Sequence, residues 1–253
     1  MQEFEYEHSP ERAFEEARLI IATTLGDAIT HELNEQLSLQ SAQGIEPETN
    51  GMSVTVMRMA AKRSTEWVAA AGHMFVLKFS VAAIKPKTEE RPTGSDIAIF
   101  FEVLPRQNIF SPIVSKTLLI QAKVGKISLE GEISVSDRNL PGQLRQIQRV
   151  SPNDGFLLVY TSEGAYCIGI SEALNSLNGN TVRTKRFSPA GSMLSEVVMC
   201  NAGNERSISP ARLNPARDIQ GNLLIEDAAR KLAIAAGTFP VEEAISVSIT
   251  VSS

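Results

Sequence analysis

Five short apolar runs constrain this chain most: 73-HMFVLKFSVAA-83, 96-DIAIFFEVL-104, 117-TLLIQAKVG-125, 155-GFLLVY-160 and 165-AYCIGI-170. Each has strand length and is fenced by Pro, Gly, Ser or other polar residues. A sheet must therefore form. Three runs in succession predict an antiparallel meander. Helical segments bracket them. Ser9-Pro10-Glu11 reads as a helix start, with Ser as N-cap and Pro at the first helical position. The helical pattern continues to about Gln40, and a break would fall at Gly26-Asp27. Pro141-Gly142 opens a second helix over 143–150, closed by Ser151-Pro152.

Residues 41–51 and 84–94 read as loops, 52–72 as helical or irregular around Trp67, and 126–140 as a polar connection. Farther on, the pattern predicts a helix at 171–177, a helix or strand near 192–200 and a Pro/Asn/Arg-rich stretch at 207–220. A helix follows over 225–236, then an alternating strand over 245–251. Helix, three strands, helix, two strands and a mixed tail make one α/β domain. Its expected core is about 10–170, with a C-terminal elaboration over about 171–253.

With 253 residues, 43% of them hydrophobic and 21% charged, the chain can bury a core without staples. Its two cysteines, Cys167 and Cys200, imply no disulfide framework and read as small core residues. No run reaches the roughly 18 apolar residues of a membrane span. The acidic start, MQEFEYEHSPERAFEEA, lacks the apolar stretch of a signal peptide. A cytoplasmic location and no membrane partner are the expectations.

The formal net charge of −5 hides a split. Eleven acidic and two basic side chains fall in residues 1–50, which leaves the remainder at +4. Lys116, Lys123, Lys126, Arg138, Arg145, Arg149, Arg183, Lys185 and Arg186 lie in that remainder. Such a face is compatible with phosphate contact without requiring it.

Side chains two apart on a strand share a face. Gln121 and Lys123 therefore point one way, and Ile120 and Ala122 the other. Antiparallel pairing of 96–104 with 117–125 would bring Asp96 beside them at one rim of the sheet. A hard cation such as Mg²⁺ takes oxygen ligands and keeps several waters. The Asp96 carboxylate, the Gln121 side-chain carbonyl and the Ala122 backbone carbonyl offer such oxygens. Lys123 could hold an attacking water or neutralise a phosphate as charge develops. Glu32 lies on the first helix's apolar stripe with Ile21, Leu25, Ala28 and Ile29. A carboxylate there needs a partner or sits at the stripe's edge.

Other constellations fail. His8, His31 and His73 are scattered, and no Cys/His spacing suits zinc. His31, beside Glu32, reads as a surface residue ahead of a proton shuttle. There is no P-loop and no G-x-S-x-G. The patch 183-RTKR-186 reads equally as a phosphate grip or a solvated turn.

The succession 93-TGSD-96, apolar strand, then 120-IQAK-123 resembles the PD-(D/E)xK, or restriction-endonuclease-like, nuclease superfamily. Gln in place of an acid resembles its Mrr-like and defence-associated branches. The resemblance spans roughly residues 25–170. It implies an αβββαβ core, with a mixed central sheet flanked by helices, and a Mg²⁺- or Mn²⁺-dependent endonuclease acting on DNA. It places Asp96 at the metal, with Gln121 and Lys123 as the third motif. Glu32 is the best match to a first-helix Glu, ahead of Glu16 and Glu35, and would support the metal or a second ion. Gln146 is the best match to a Gln on the following helix, with Gln143 second. Ser95 stands where the family has Pro. Glu102 shares the face of Asp96 by strand parity but is too far along the strand to join it. The resemblance further implies a restriction or antiphage role, with a protein partner or homodimer choosing the target. The alternative is a non-catalytic nucleic-acid-binding or scaffolding protein on the same fold, with a degenerate site.

Overall fold

The computed structural model describes residues 10–43, 65–70, 72–83, 95–106, 111–151, 153–199, 210–219, 221, 223–236 and 243–252. The expected Ser9 cap, the loops 44–51 and 84–94 with Thr93 and Gly94, residues 52–64, His8, Cys200 and the start of the 207–220 stretch lie outside them.

The first helix, α1, runs Pro10–Ala42 without interruption. Phe14, Ala17, Ile21, Leu25, Ile29, Leu33 and Leu37 recur at spacings of three and four, and all are buried. Gly26 does not break the helix. It lets the later helix α4 (Ser192–Val198) approach closely. A Cβ at Gly26 would lie 2.2 Å from Ser195 Oγ, and one at Gly191 would lie 1.8 Å from the Gly26 carbonyl oxygen.

Strands β1 (Thr65–Ala70) and β2 (His73–Ala83) form a hairpin, so the stretch expected to be helical or irregular supplies an edge strand instead. β3 (Ile97–Pro105) and β4 (Val114–Val124) pair antiparallel. All nine residues of β3 are buried, the pattern of a strand covered on both faces. The stretch read as a polar connection contains β5 (Lys126–Ile127) and β6 (Ile133–Ser136). Helix α2 (Leu140–Val150) then crosses over to β7 (Gly155–Thr161), which lies parallel to β4. The remaining elements are β8 (Gly164–Gly169), α3 (Ile170–Asn175), β9 (Leu177–Asn178), β10 (Thr181–Thr184), β11 (Ser188–Pro189), the short α5 (Pro210–Leu213), α6 (Ile225–Ala236) and β12 (Glu243–Ser252).

The main sheet has eight strands in the order β1-β2-β12-β3-β4-β7-β8-β11, and a four-stranded sheet runs β5-β6-β10-β9. β12 pairs antiparallel with β2 and parallel with β3. The expected three-strand meander is therefore interrupted. β12, from the C-terminal segment, lies inside the sheet between β2 and β3 and contributes Ile245, Val247 and Ile249 to the core. Its strict alternation gave the strand but not its neighbours, because pairing partners far apart in sequence leave no local signature. The class is α/β with a mixed central sheet flanked by helices.

The two faces of the sheet differ. α1 and α4 cover one, packing against Ile97, Ile99, Phe101, Leu118, Ile120 and Ala122. α2, α3, α6 and the small sheet cover the other, against Ala98, Phe100, Leu119, Leu157 and Val159. Residues of odd number on β4 thus face α2. Among the described residues, no helix is long and apolar enough to cross a membrane.

Candidate active site

β3 opens with Ile97 opposite Ile120, so the register carried back one residue sets Asp96 opposite Gln121. Asp96 N–H donates to the Ile120 carbonyl at 2.9 Å, which fixes that position. Odd residues of β4 bond toward β7: Leu119 N–H reaches the Asp154 carbonyl at 3.0 Å, and Gly125 N–H reaches the Tyr160 carbonyl at 2.8 Å. The backbone groups of Ala122 therefore point toward β3, which starts too late in the chain to pair with them. The Asp96 side chain fills that gap. Its Oδ2 accepts the Ala122 N–H at 2.8 Å and also accepts a hydrogen bond from Gln121 Nε2. Gln121 Nε2 donates as well to the Ala122 carbonyl at 3.3 Å.

Gln121 is fully buried, and its Oε1 has no hydrogen-bond partner among the described residues. Leaving a buried carbonyl unpaired costs about 1–3 kcal/mol. Asp96, by contrast, is only half-buried. The carboxamide bridges two oxygens with its N–H₂ where an oxygen-seeking cation would sit. Turning the amide over would present Oε1 alongside Asp96 Oδ2 and the Ala122 carbonyl.

Lys123 lies on the Gln121 face, with its side chain 17% exposed. Its Nζ donates to Asp137 Oδ2 at 2.8 Å and bonds neither Asp96 nor Gln121. Asp137 precedes α2. Its Oδ1 accepts the Asn139 N–H at 2.7 Å, and its carbonyl accepts the Leu140 N–H at 3.1 Å. The hydrogen bond from Lys123 foremost, with the Asn139 and Leu140 N–H groups behind it, holds the Asp137 carboxyl below the ordinary carboxylate value. Partial burial opposes them and loses. Sequence pattern alone does not single out Asp137. The signal was there in 137-DRNLPG-142, an Asx-type turn leading into a helix.

Helix α2 is antiparallel to β4, starting beside Lys123 and ending at the start of β7. Leu119 faces Gly155, and a Cβ on Gly155 would meet Ile147 Cγ2 at 2.5 Å, so Ile147 marks the level of Leu119. Four helical residues, about 6 Å, and two strand residues, about 7 Å, then bring Gln143 and Gln121 to one level. Gln143 Oε1 is a second buried oxygen with no partner among the described residues. Gln143 neighbours the buried stripe of Leu140, Leu144 and Ile147, whereas Gln146 lies farther around the helix. The structure thus favours Gln143 over Gln146 as the helix glutamine of the site.

Glu32 is half-buried at the edge of the α1 stripe, and α1 packs on the opposite face of the sheet from Gln121 and Lys123. The structure does not bring it into their group, and the stripe-edge explanation fits it better. Glu16 is exposed and paired with Arg12 at 2.9 Å, and Glu35 is exposed. Glu102, 2% exposed, is held by Arg217 at 2.7 Å and 3.0 Å, far from Asp96 along β3. His31 is exposed. Among the described residues, no three His, Cys, Asp or Glu side chains group as metal ligands. The oxygens present suit a hard, largely hydrated cation with one carboxylate, which is a weak but workable set for Mg²⁺.

The basic residues divide. Arg183, Lys185 and Arg186 lie opposite Glu132, Glu130 and Glu172 at 3.6, 3.9 and 3.1 Å, which weakens the phosphate-grip interpretation of RTKR. Lys116 is buried, with its Nζ 3.4 Å from the Val197 carbonyl. Lys126, Arg138, Arg145 and Arg149 are exposed and have no ion-pair partner among the described residues. Lys126 lies on β5, Arg138 just before α2, and Arg145 and Arg149 on α2, which carries no acidic residue. Comparison with family models, curated proteins and solved structures gives no match.

Proposed function

We propose that this chain is a metal-dependent endonuclease of the PD-(D/E)xK kind that hydrolyses DNA phosphodiester bonds, within a restriction or antiphage system. The observation that carries the proposal is the junction of Asp96, Gln121 and the Ala122 carbonyl at the start of β3, with Lys123 on the same face. Asp96, Gln121 and the Ala122 carbonyl would hold Mg²⁺ or Mn²⁺. Such an ion supplies Lewis acidity toward a phosphoryl oxygen and lowers the pKa of a bound water.

The chain's own residues supply the rest. Lys123 uses one N–H on Asp137 and keeps two donors for the developing negative charge of the phosphate. Exposed Arg138, Arg145, Arg149 and Lys126 would supply phosphate contacts. Gln143 stands ready to orient a water or a phosphate oxygen. The bond from Gln121 Nε2 to Asp96 favours the second interpretation, a nucleic-acid-binding protein with a degenerate site, because the amide turns an N–H donor rather than an oxygen toward the carboxylate.

Incubation of supercoiled plasmid with Mg²⁺ or Mn²⁺ separates the two. Wild-type protein should nick or linearise it, and Asp96→Ala and Lys123→Ala should each lose roughly 10²–10³-fold in rate. Equal cleavage by all three would remove this site from consideration. DNA binding without cleavage by the wild type would establish the second interpretation.

A further inference from the structure

We propose that Asp137 is a positioning residue of this site, which anchors the Lys123 ammonium to the first turn of α2. The proposal rests on the nuclease assignment for its catalytic meaning and on geometry alone for the anchoring. Lys123 is the last inward-facing residue of β4, on a four-carbon stem with costly rotamer freedom. Left alone, such a side chain would sample many positions at the half-open rim.

Among the described residues Lys123 has one anchor. Asp137 Oδ2 accepts from Lys123 Nζ at 2.8 Å, while its Oδ1 accepts from Asn139 N–H at 2.7 Å. Both carboxylate oxygens are used, one on the lysine and one on the backbone that opens α2. The carboxylate cannot swing without breaking one of these bonds. The depressed protonation range of Asp137 agrees with a carboxylate bonded on both sides.

The arrangement also answers a problem of charge. With Gln121 in place of an acid, the site has no second carboxylate on β4. Asp137 supplies a negative charge from a different element and directs it at the lysine. Among the described residues Lys123 then retains two N–H donors, and the same turn ties the ammonium to the helix that carries Gln143.

Two measurements test this, and one does not depend on catalysis. Asp137→Asn preserves the size of the side chain and the acceptor for Asn139 N–H but removes the charge. In the intact protein, acylation of Lys123 by an amine-reactive ester, read by peptide mass spectrometry against exposed Lys126, should rise several-fold in Asp137→Asn and Asp137→Ala. An unchanged ratio in both variants would overturn the anchor whether or not the protein cleaves DNA.

In the plasmid assay, Asp137→Ala should lower kcat about tenfold or more with KM unchanged or lower, because loss of an acidic group favours polyanion binding. Asp137→Glu should recover part of kcat. A rise in kcat would mean that Asp137 restrains the lysine, and an unchanged kcat would mean that the anchor is idle; either result overturns the proposal. If the wild type does not cleave while the labelling ratio rises as expected, the anchor stands and the nuclease assignment falls.

Discussion

The same face of the β3–β4 pair carries a carboxylate at each end, and the two have opposite surroundings. At one end Glu102 is buried and gripped by both terminal nitrogens of Arg217, with Ser115 Oγ 3.4 Å away and Arg217 also bonded to the Gly221 carbonyl at 2.9 Å. At the other end half-buried Asp96 shares one oxygen between a backbone N–H and a glutamine amide whose own oxygen is unpaired among the described residues. A buried carboxylate matched by a guanidinium is a structural device; at the rim the oxygen without a partner among the described residues is that of Gln121, and we read that end as the place for a ligand. The contrast separates the two roles where parity alone could not, since Asp96 and Glu102 lie six residues apart and face the same way.

The largest expected effect breaks the closed end. Arg217→Ala leaves Glu102 buried without its partner and should cost about 3–5 kcal/mol. For a chain of this size that lowers Tm by about 6–20 °C. Replacing both partners, Glu102→Leu with Arg217→Met, should cost far less, because the loss comes from the stranded charge. If the double variant is as unstable as Arg217→Ala in thermal unfolding, Glu102 has a role that pairing does not describe.

A smaller effect is expected at the open end. Gln121→Leu removes an unpaired buried carbonyl and should change stability by no more than about 1 kcal/mol in the absence of divalent ions. Gln121→Glu sets a second carboxylate against Asp96 and should be destabilised without cation, then recover on adding Mg²⁺. A cation at ten times its Kd adds about 1.4 kcal/mol of stability. Thermal unfolding with and without Mg²⁺ checks both. A Gln121→Glu variant indifferent to Mg²⁺ would mean that the oxygens do not converge on a cation position.

Much of this contrast was legible in the chain. Strand parity puts Gln121 and Lys123 on one face, as the structure has them, and the antiparallel register sets Asp96 against Gln121, while Lys123 bonds Asp137 instead. Three things were hidden, each for a physical reason. β12 (from residue 243) enters between β2 and β3 (which ends at residue 105), a long-range pairing that periodicity does not encode. Gly26 reads as a helix breaker, but its place is set by the approach of α4 at Gly191, a tertiary contact that overrides propensity. Glu32 looked anomalous on an apolar stripe. Helical spacing cannot say which face of the sheet a helix will cover, and α1 covers the face away from Lys123.

The smallest effect concerns Cys167, on the face opposite the site. It is buried, with its Sγ 3.4 Å from the Pro189 carbonyl and 3.2 Å from Ser192 Oγ. Burial pushes its thiol up to about 11, against a modest opposing pull from the Ser192 hydrogen bond. The thiolate is the reactive form, so little of it exists at neutral pH. Iodoacetamide should modify Cys167 of the folded protein slowly at pH 8, and faster as the pH rises toward 11. Unfolding in denaturant should remove the protection at pH 8. Rapid labelling of native Cys167 at pH 8, read by peptide mass spectrometry, would show that a group with its bonds made can still be reactive here. The satisfied Glu102 could then no longer be set aside as structural on the strength of its bonds alone.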